Sequence, residues 1–309
     1  MSQLSLEPPE EDPQRAAPER AAPEGAVPQR AAREGVAPEG VAPEGAAREG
    51  VAPEGAVPQA AVPEGVAPAV GGPTPWYERP FAALDLETTG IDPATARIVE
   101  LALLVDEGDG HGRDLYAGLV DPGPEVEIPP GASAVHGITR ERLTAEQAPP
   151  AAEVLPAVRA HLIELAAAGW PVVIYNATYD WPLLAAELAR LDPPSTLPDC
   201  ALIDPLVLDR SVDRYRKGKR TLEAACQVYD VVLDDAHSAR ADAVASMAVA
   251  RALLARFPRQ LRTDDLDALQ QLQVDAHVVW RDSFNAYLQR IDADRDLVTG
   301  DWPGLDRVP

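Results

Sequence analysis

The sequence is short of positive charge. Its 309 residues include only two lysines, Lys217 and Lys219, and 27 basic residues face 50 acidic ones, which gives a formal net charge of −23. Non-specific binding to nucleic acid needs lysine or arginine to displace counterions, so this charge argues against a protein that coats nucleic acid. It is compatible with a site that reaches nucleic acid through bound metal ions.

Cysteine and long apolar runs are also scarce. Cys200 and Cys226 stand 26 positions apart and form no CxxC pair, which excludes a disulfide framework and a zinc ribbon. No apolar run reaches the length of a membrane span, and the N-terminus lacks the basic-then-apolar pattern of a signal peptide. The sequence therefore predicts a soluble, cytoplasmic protein without a membrane partner.

Proline is abundant and unevenly placed, since 15 of the 32 prolines lie in residues 1–80. Residues 16–70 repeat in pentads such as AAPEG and VAPEG, with no aromatic residue. Such a segment buries too little apolar surface to offset the entropy of ordering, and its prolines interrupt helices and ladders. The composition predicts a disordered low-complexity tail at 1–78, either a spacer that tethers a partner or an extension without function.

The rest of the chain shows strands first and then alternating helices and strands. Apolar runs predict strands at 81–86, 97–105 and 114–120, arranged as an antiparallel meander. Periodicity further predicts a helix at 153–168, a buried strand at 172–175, a helix at 179–190, a short element at 201–208, and helices at 221–229, 240–256 and 264–291. This order is typical of an α/β fold with a mixed sheet flanked by helices.

Two acids end the first predicted strand. Asp85 and Glu87, in the segment DLETTG, lie two positions apart, so both carboxylates point to the same face of the strand. Two negative charges on one face repel each other, and a hard divalent cation is a usual source of compensation. The alternative is a strand end with ordinary surface charges.

Two further segments place polar groups at helix starts. In NATYD, helix capping and the helix dipole explain Asn176 and Asp180, while the functional alternative makes Asp180 a third carboxylate at the sheet edge. In HSARAD, His237 precedes Asp242 by five residues beside a helix start. An imidazole near carboxylates suits a general base, although a lone histidine is more often structural.

The order and spacing of these segments resemble the DEDDh branch of the DEDD 3′–5′ exonucleases, which includes the proofreading epsilon subunit of bacterial DNA polymerase III and ribonuclease T. DLETTG, NATYD and HSARAD match the three exonuclease motifs, and VHGIT at 135–139 matches a stretch between the first two. The tyrosine branch would have tyrosine where this sequence has Ser238. Two departures are Tyr175, where relatives often have histidine, and Tyr179, where phenylalanine is common.

The resemblance covers residues 79–258, which are expected to form an exonuclease domain. A C-terminal helical extension is expected at 259–309, and its ending GDWP is similar to that of some stand-alone bacterial relatives. It implies a ribonuclease H-like fold with a mixed five-stranded sheet. It also implies two divalent cations, Mg²⁺ or Mn²⁺, with Asp85 bridging both ions. The implied metal ligands are Asp85, Glu87, Asp180 and Asp242. The implied general base is His237.

The implied reaction releases nucleoside 5′-monophosphates from 3′ ends of nucleic acid, with single-stranded or frayed DNA favoured over RNA. Expected substrate contacts are Thr88, Thr89, the backbone of Leu86, Asn176 and the ring of Tyr179. His136 is a further candidate, with an ordinary loop histidine as the alternative. Arg216 and Lys217, in the basic segment RYRKGKR, are expected to contact phosphates unless they belong to a solvated loop. The alternatives are an RNA-trimming enzyme of the same chemistry and an interaction module that binds a DNA polymerase or clamp.

Overall fold

The computed structural model of the chain describes residues 74–106, 112–234, 237–291, 294 and 296–307. The pentad repeats and most of the expected tail lie outside these residues. The last residues of that expected tail are described, and they form a 3-10 turn at Trp76–Glu78. Trp76 is buried and its ring stacks on Phe81 of the first strand. The folded part therefore begins before residue 79, because Trp76 belongs to the core.

Five strands form one mixed sheet: Phe81–Thr88 (β1), Ile98–Asp106 (β2), Arg113–Leu119 (β3), Val172–Val173 (β4) and Leu202–Ile203 (β5). Their order in the sheet is β3-β2-β1-β4-β5. Strands β1 to β3 pair antiparallel, as the predicted meander requires, and β4 and β5 continue the sheet in parallel with β1. The predicted mixed five-stranded sheet is confirmed, although β4 and β5 are only two residues long.

Nine helices are found in the described residues. They are α1 Pro130–His136, α2 Arg140–Ala145, α3 Ala151–Ala168, α4 Ala177–Ala189, α5 Pro205–Val212, α6 Leu222–Val228, α7 Ala239–Arg256, α8 Pro258–Leu261 and α9 Leu266–Ile291. Each helix expected from periodicity is present, with bounds shifted by one or two residues. None of the described helices is both long enough and apolar enough to cross a membrane.

The sheet separates two apolar cores. Alternate residues of β1 such as Leu84 and Leu86 face α3 and α4, whereas Phe81 and Ala83 face α5, α6 and α7. Side chains of a strand alternate between faces, so the odd-numbered positions that follow Ala83 also point towards α7. This alternation places the acids at the end of β1, Asp85 and Glu87, on the face of the sheet that packs against α7.

Candidate metal centre

Three buried carboxylates meet at the carboxyl end of β1. Asp85 and Glu87 continue the sheet face that packs against α7, and Asp242 lies in the first turn of that helix. One ligand oxygen from each carboxylate lies within 4.8 Å of those of the other two. The exposed fractions are 8% for Asp85, 1% for Glu87 and 4% for Asp242. We call these three residues the carboxylate cluster.

The carboxylate cluster has the chemistry of a divalent cation site. Three acids that are close together and buried repel one another, which disfavours their charged forms unless positive charge is near. Carboxylate oxygens are the hard donors that Mg²⁺ and Mn²⁺ prefer. The residues present therefore fit a divalent cation, and three of the four expected ligands lie together.

Asp180 reaches the same edge of the sheet from another helix. Strand β4 runs parallel to β1, so the helix that follows β4 starts near the carboxyl end of β1. Asp180 lies in the first turn of that helix, α4, and is 4% exposed. It is not one of the three residues whose oxygens lie within 4.8 Å of one another. Its role as a fourth ligand stays a prediction.

His237 lies just before α7, the helix that carries Asp242. Its backbone has a φ of 77°, in the left-handed region, where the chain turns into the helix at the N-cap residue Ser238. Its Nε2 atom lies 4.0 Å from Oε1 of Glu223, and its side chain is 31% exposed. A histidine with partial access to solvent can exchange a proton with water, as a general base must.

Sequence reasoning missed Glu100 on β2. The register of the sheet places Glu100 directly opposite Glu87. Oε2 of Glu100 accepts a hydrogen bond of 3.1 Å from the backbone N–H of Ala239, at the start of α7. This bond satisfies one of the N–H groups that a helix start leaves without an intrahelical partner, and it ties the helix of Asp242 to β2. A signal was available, because Glu100 is the single acid in the apolar run IVELALLV.

Three side chains hold the loop after β1, and one of them, Tyr179, comes from α4. Oγ1 of Thr88 donates to the Gly90 carbonyl at 2.9 Å and lies 2.6 Å from the hydroxyl of Tyr179, which also donates to that carbonyl. Oγ1 of Thr89 accepts a hydrogen bond from the backbone of Arg97 at 3.0 Å. Tyr179 is only 7% exposed, so its ring offers little surface to a base.

Three other expected substrate contacts are buried or make hydrogen bonds within the protein. The side chain of Leu86 is fully buried, and His136 is 8% exposed with Nδ1 accepting from the backbone of Ile138 at 3.0 Å. Asn176 occupies the N-cap position of α4, as expected, but its side chain makes no capping bond to the helix backbone. Its Oδ1 instead accepts from the hydroxyl of Thr178 at 3.0 Å.

Arg216, which is expected to contact phosphate, also has a partner inside the protein. Its Nη2 donates to Oδ2 of the fully buried Asp209 at 2.5 Å, and Arg220 donates to the same oxygen. The hydroxyl of Tyr229 donates to the other oxygen of Asp209 at 2.6 Å. We call these four residues the Asp209 network. Lys217 is exposed, and the expected phosphate contact stays a prediction for both Arg216 and Lys217.

Comparison with known proteins identifies the family. The family model RNase_T, described as Exonuclease, matches residues 82–250. No curated protein matches the chain. Among solved structures, exonuclease X in complex with 5′ overhanging duplex DNA is 20% identical, with 62% of this chain and 99% of that chain covered and a TM-score of 0.45.

Two exonuclease I structures are also similar. That of E. coli in complex with a dA16 oligonucleotide is 22% identical, with 59% of this chain and 42% of that chain covered and a TM-score of 0.49. That of Methylocaldum szegediense is 22% identical, with 59% and 41% covered and a TM-score of 0.46. The chain thus spans less than half the length of these exonuclease I chains.

The family match covers more than half of the chain and includes all three motifs and the carboxylate cluster. The resemblance to this family that the motifs predicted is confirmed. The sheet order and the helices on both faces form the ribonuclease H-like fold that the resemblance implied. Family membership makes the protein a nuclease, a hydrolase of nucleic acid. The chain belongs to the RNase_T family of exonucleases.

Proposed function

We propose that the protein is a metal-dependent 3′–5′ exonuclease that releases nucleoside 5′-monophosphates from single-stranded DNA or frayed DNA ends. The observation that carries the proposal is the carboxylate cluster, whose three ligand oxygens lie within 4.8 Å of one another inside the family match. Asp85, Glu87 and Asp242, together with Asp180, would hold two divalent cations, Mg²⁺ or Mn²⁺. Oxygen donors and a phosphate substrate both favour such hard cations.

The protein's own residues supply the base and the pocket. When bound, the cations supply Lewis acidity that activates water and stabilises the charge on the leaving oxygen. His237 removes a proton from the attacking water, and its partial exposure lets that proton pass on to solvent. The oxygen of that water forms a bond to the last phosphorus as the bond to the 3′ oxygen breaks. The 3′ oxygen then takes a proton from water and leaves as a hydroxyl.

The terminal nucleotide would lie beside the loop that follows β1. Thr88 and Thr89 are fixed there by hydrogen bonds to Gly90, Tyr179 and Arg97, so their loop is held in one conformation. A fixed loop orients the scissile phosphate without an entropic cost at the moment of reaction. Tyr179 acts in this proposal by holding Thr88, since its ring is buried.

Bound cations also explain how an acidic protein approaches a polyanion. A net charge of −23 repels a phosphate backbone, and the carboxylate cluster does so most strongly at the site itself. Divalent ions reverse the local field at such a cluster. Lys217, which is exposed on the loop after α5, would contact a phosphate further along the strand.

Digestion of matched DNA and RNA oligonucleotides tests the proposal. Oligonucleotides labelled at the 3′ or the 5′ end are incubated with Mg²⁺, Mn²⁺ or EDTA, with Asp85→Ala as the control. We expect a 3′ label to appear at once in mononucleotide and a 5′ label to shorten as a ladder, with DNA degraded faster than RNA. Faster RNA digestion would make the enzyme an exoribonuclease, and digestion that continues in EDTA would overturn the metal mechanism.

A further inference from the structure

A buried carboxylate outside the carboxylate cluster joins the starts of two helices. Asp204, fully buried after β5, accepts hydrogen bonds from the backbone N–H groups of Asn176 at 3.0 Å and Ala177 at 2.9 Å, where α4 begins. It also accepts from two backbone N–H groups at the start of α5. Burial raises the pKa of Asp204, and the bonds from α4 oppose that shift. Asp204 therefore caps α4 in place of the Asn176 side chain.

The C-terminal extension completes the surroundings of Asp204. Nε1 of Trp302 donates to Oδ2 of Asp204 at 3.2 Å, and Trp302 is 6% exposed. Gln273 of α9 accepts from the backbone N–H of Asp204 at 2.7 Å and donates to the carbonyl of Leu202 at 2.9 Å. Both residues lie beyond residue 250, where the family match ends. The extension thus supplies contacts that the matched domain does not contain.

Residues 296–307, which we call the C-terminal strap, run back along α9 towards α4. Asn285 of α9 exchanges two hydrogen bonds of 2.8 Å with the backbone of Val298. One turn earlier on α9, Arg281 donates to the carbonyl of Gly300 at 3.1 Å. The short turn at the end of the strap packs against α4. The strap therefore links α9 to α4 across the end of β5.

Gly304 brings the strap into direct contact with the first turn of α4. Its φ is +92°, and a Cβ atom there would lie 3.0 Å from the carbonyl oxygen of Thr178 and 3.2 Å from its Cα. Glycine alone tolerates both this backbone conformation and this approach. Thr178 lies two residues before Asp180, so the strap contacts the turn that carries Asp180.

We propose that Asp204 and the C-terminal strap position Asp180, so that residues beyond the exonuclease domain set the metal affinity of the active site. This inference rests on the proposed function for the identity of Asp180 as a metal ligand. The first turn of α4 is held by Asp204 at its backbone N–H groups and by Gly304 at Thr178. Groups that orient a metal ligand control metal affinity even though they do not contact the ion. Trp302 and Gly304 are positioning residues in this sense.

Two strap variants of the full chain and one matched control test the inference. Trp302→Phe keeps an aromatic ring and removes the N–H donor, and Gly304→Ala adds a Cβ against Thr178. Trp76→Phe is the control, because Nε1 of Trp76 also donates, to the carbonyl of Thr263 at 2.9 Å, but at the opposite end of β1. Mn²⁺ binding is measured by electron paramagnetic resonance of the free ion, alongside Tm in EDTA and digestion over a range of Mn²⁺ concentrations.

We expect Trp302→Phe to weaken Mn²⁺ binding about fivefold, the effect of one hydrogen bond transmitted to the site. We expect Gly304→Ala to weaken it by a similar factor, because the added Cβ displaces Thr178. High Mn²⁺ should restore their digestion rate, and Trp76→Phe should lower Tm without changing Mn²⁺ affinity. If one strap variant does not fold, the Mn²⁺ affinity of the other is sufficient to test the inference. Lowered Tm with wild-type Mn²⁺ affinity in the strap variants would overturn the inference, as would a wild type that does not bind Mn²⁺. A wild type that binds Mn²⁺ but digests no nucleic acid would overturn the proposed function alone.

Discussion

Two groups of buried carboxylates in this domain differ in what surrounds them. In the Asp209 network, one buried acid is balanced by two guanidinium groups and a hydroxyl. In the carboxylate cluster, three buried acids lie within 4.8 Å of one another. Both arrangements bury negative charge, but the first brings opposite charges together and the second brings like charges together. The comparison separates an acid that stabilises the fold from acids that are placed to bind a cation.

The comparison predicts opposite responses to the loss of one charge. Neutralising an acid in the carboxylate cluster removes repulsion, so the protein without metal keeps or gains stability. Neutralising Asp209 leaves two largely buried arginines without their partner, which costs free energy. Activity and stability should therefore separate between the two regions.

The largest effect is expected for Asp85→Asn. The lost charge weakens cation binding, so kcat/KM on a 3′-labelled oligonucleotide should fall by at least about a thousandfold, since bound cations supply several kcal/mol of transition-state stabilisation. In EDTA, Tm should equal or exceed that of the wild type. Added Mn²⁺ should no longer raise Tm, and a Tm shift of wild-type size would contradict the assignment of the carboxylate cluster.

His237→Ala should remove the general base and leave the metal ligands in place. We expect the digestion rate to fall about a hundredfold or more, in the range of general-base catalysis. Mn²⁺ should still raise Tm as it does in the wild type, because His237 is not among the expected ligands. A variant with a near-normal rate would show that another group takes the proton.

Asp209→Asn should act on stability and spare metal binding. Because Asp209 is fully buried and its two arginine side chains are only 12% and 11% exposed, the free energy of unfolding in urea should fall. The expected loss is about 3 kcal/mol, typical of removing one partner from a buried ion pair. Asp114→Asn is the matched control, since its pair with Arg240 is exposed and should contribute less than about 1 kcal/mol. Equal losses in both variants would remove the distinction between the two regions.

Lys217→Glu should give the smallest effect. One lost phosphate contact should raise KM on oligonucleotides and lower the salt dependence of binding by about one unit of slope. Hydrolysis of a small thymidine-monophosphate nitrophenyl ester, which has no further phosphates, should not change. Arg259→Glu, at an exposed position of α8, is the control for charge alone. Equal losses on both substrates would reject the contact.

The sheet and its family could be predicted because their signals are local. The strand β1 ends in DLETTG, and strict alternation places Asp85 and Glu87 on one face without knowledge of the rest of the fold. Helices α3, α7 and α9 are long enough to show periodicity. The short helices α1, α2 and α8 span only four to seven residues, too few for a periodic pattern to stand out.

The roles of several polar residues could not be predicted because they depend on contacts between distant segments. Glu100 acquires its role from the strand register and from the start of α7, 139 positions away. Asp204 depends on α4 and on Trp302, 98 positions away. Arg216 stands in a basic run that is typical of a solvated surface, and its partner Asp209 becomes apparent only once α5 and the following loop are folded.

Anomalous diffraction from crystals grown with Mn²⁺ tests the central claim most directly. We predict anomalous peaks in direct contact with the carboxylate oxygens of Asp85, Glu87 and Asp242, with Asp180 in contact with at least one of the ions. Crystals of Asp85→Asn grown in the same way should show weaker peaks or none. An active, Mn²⁺-saturated protein whose anomalous map is empty at these three residues would contradict the account.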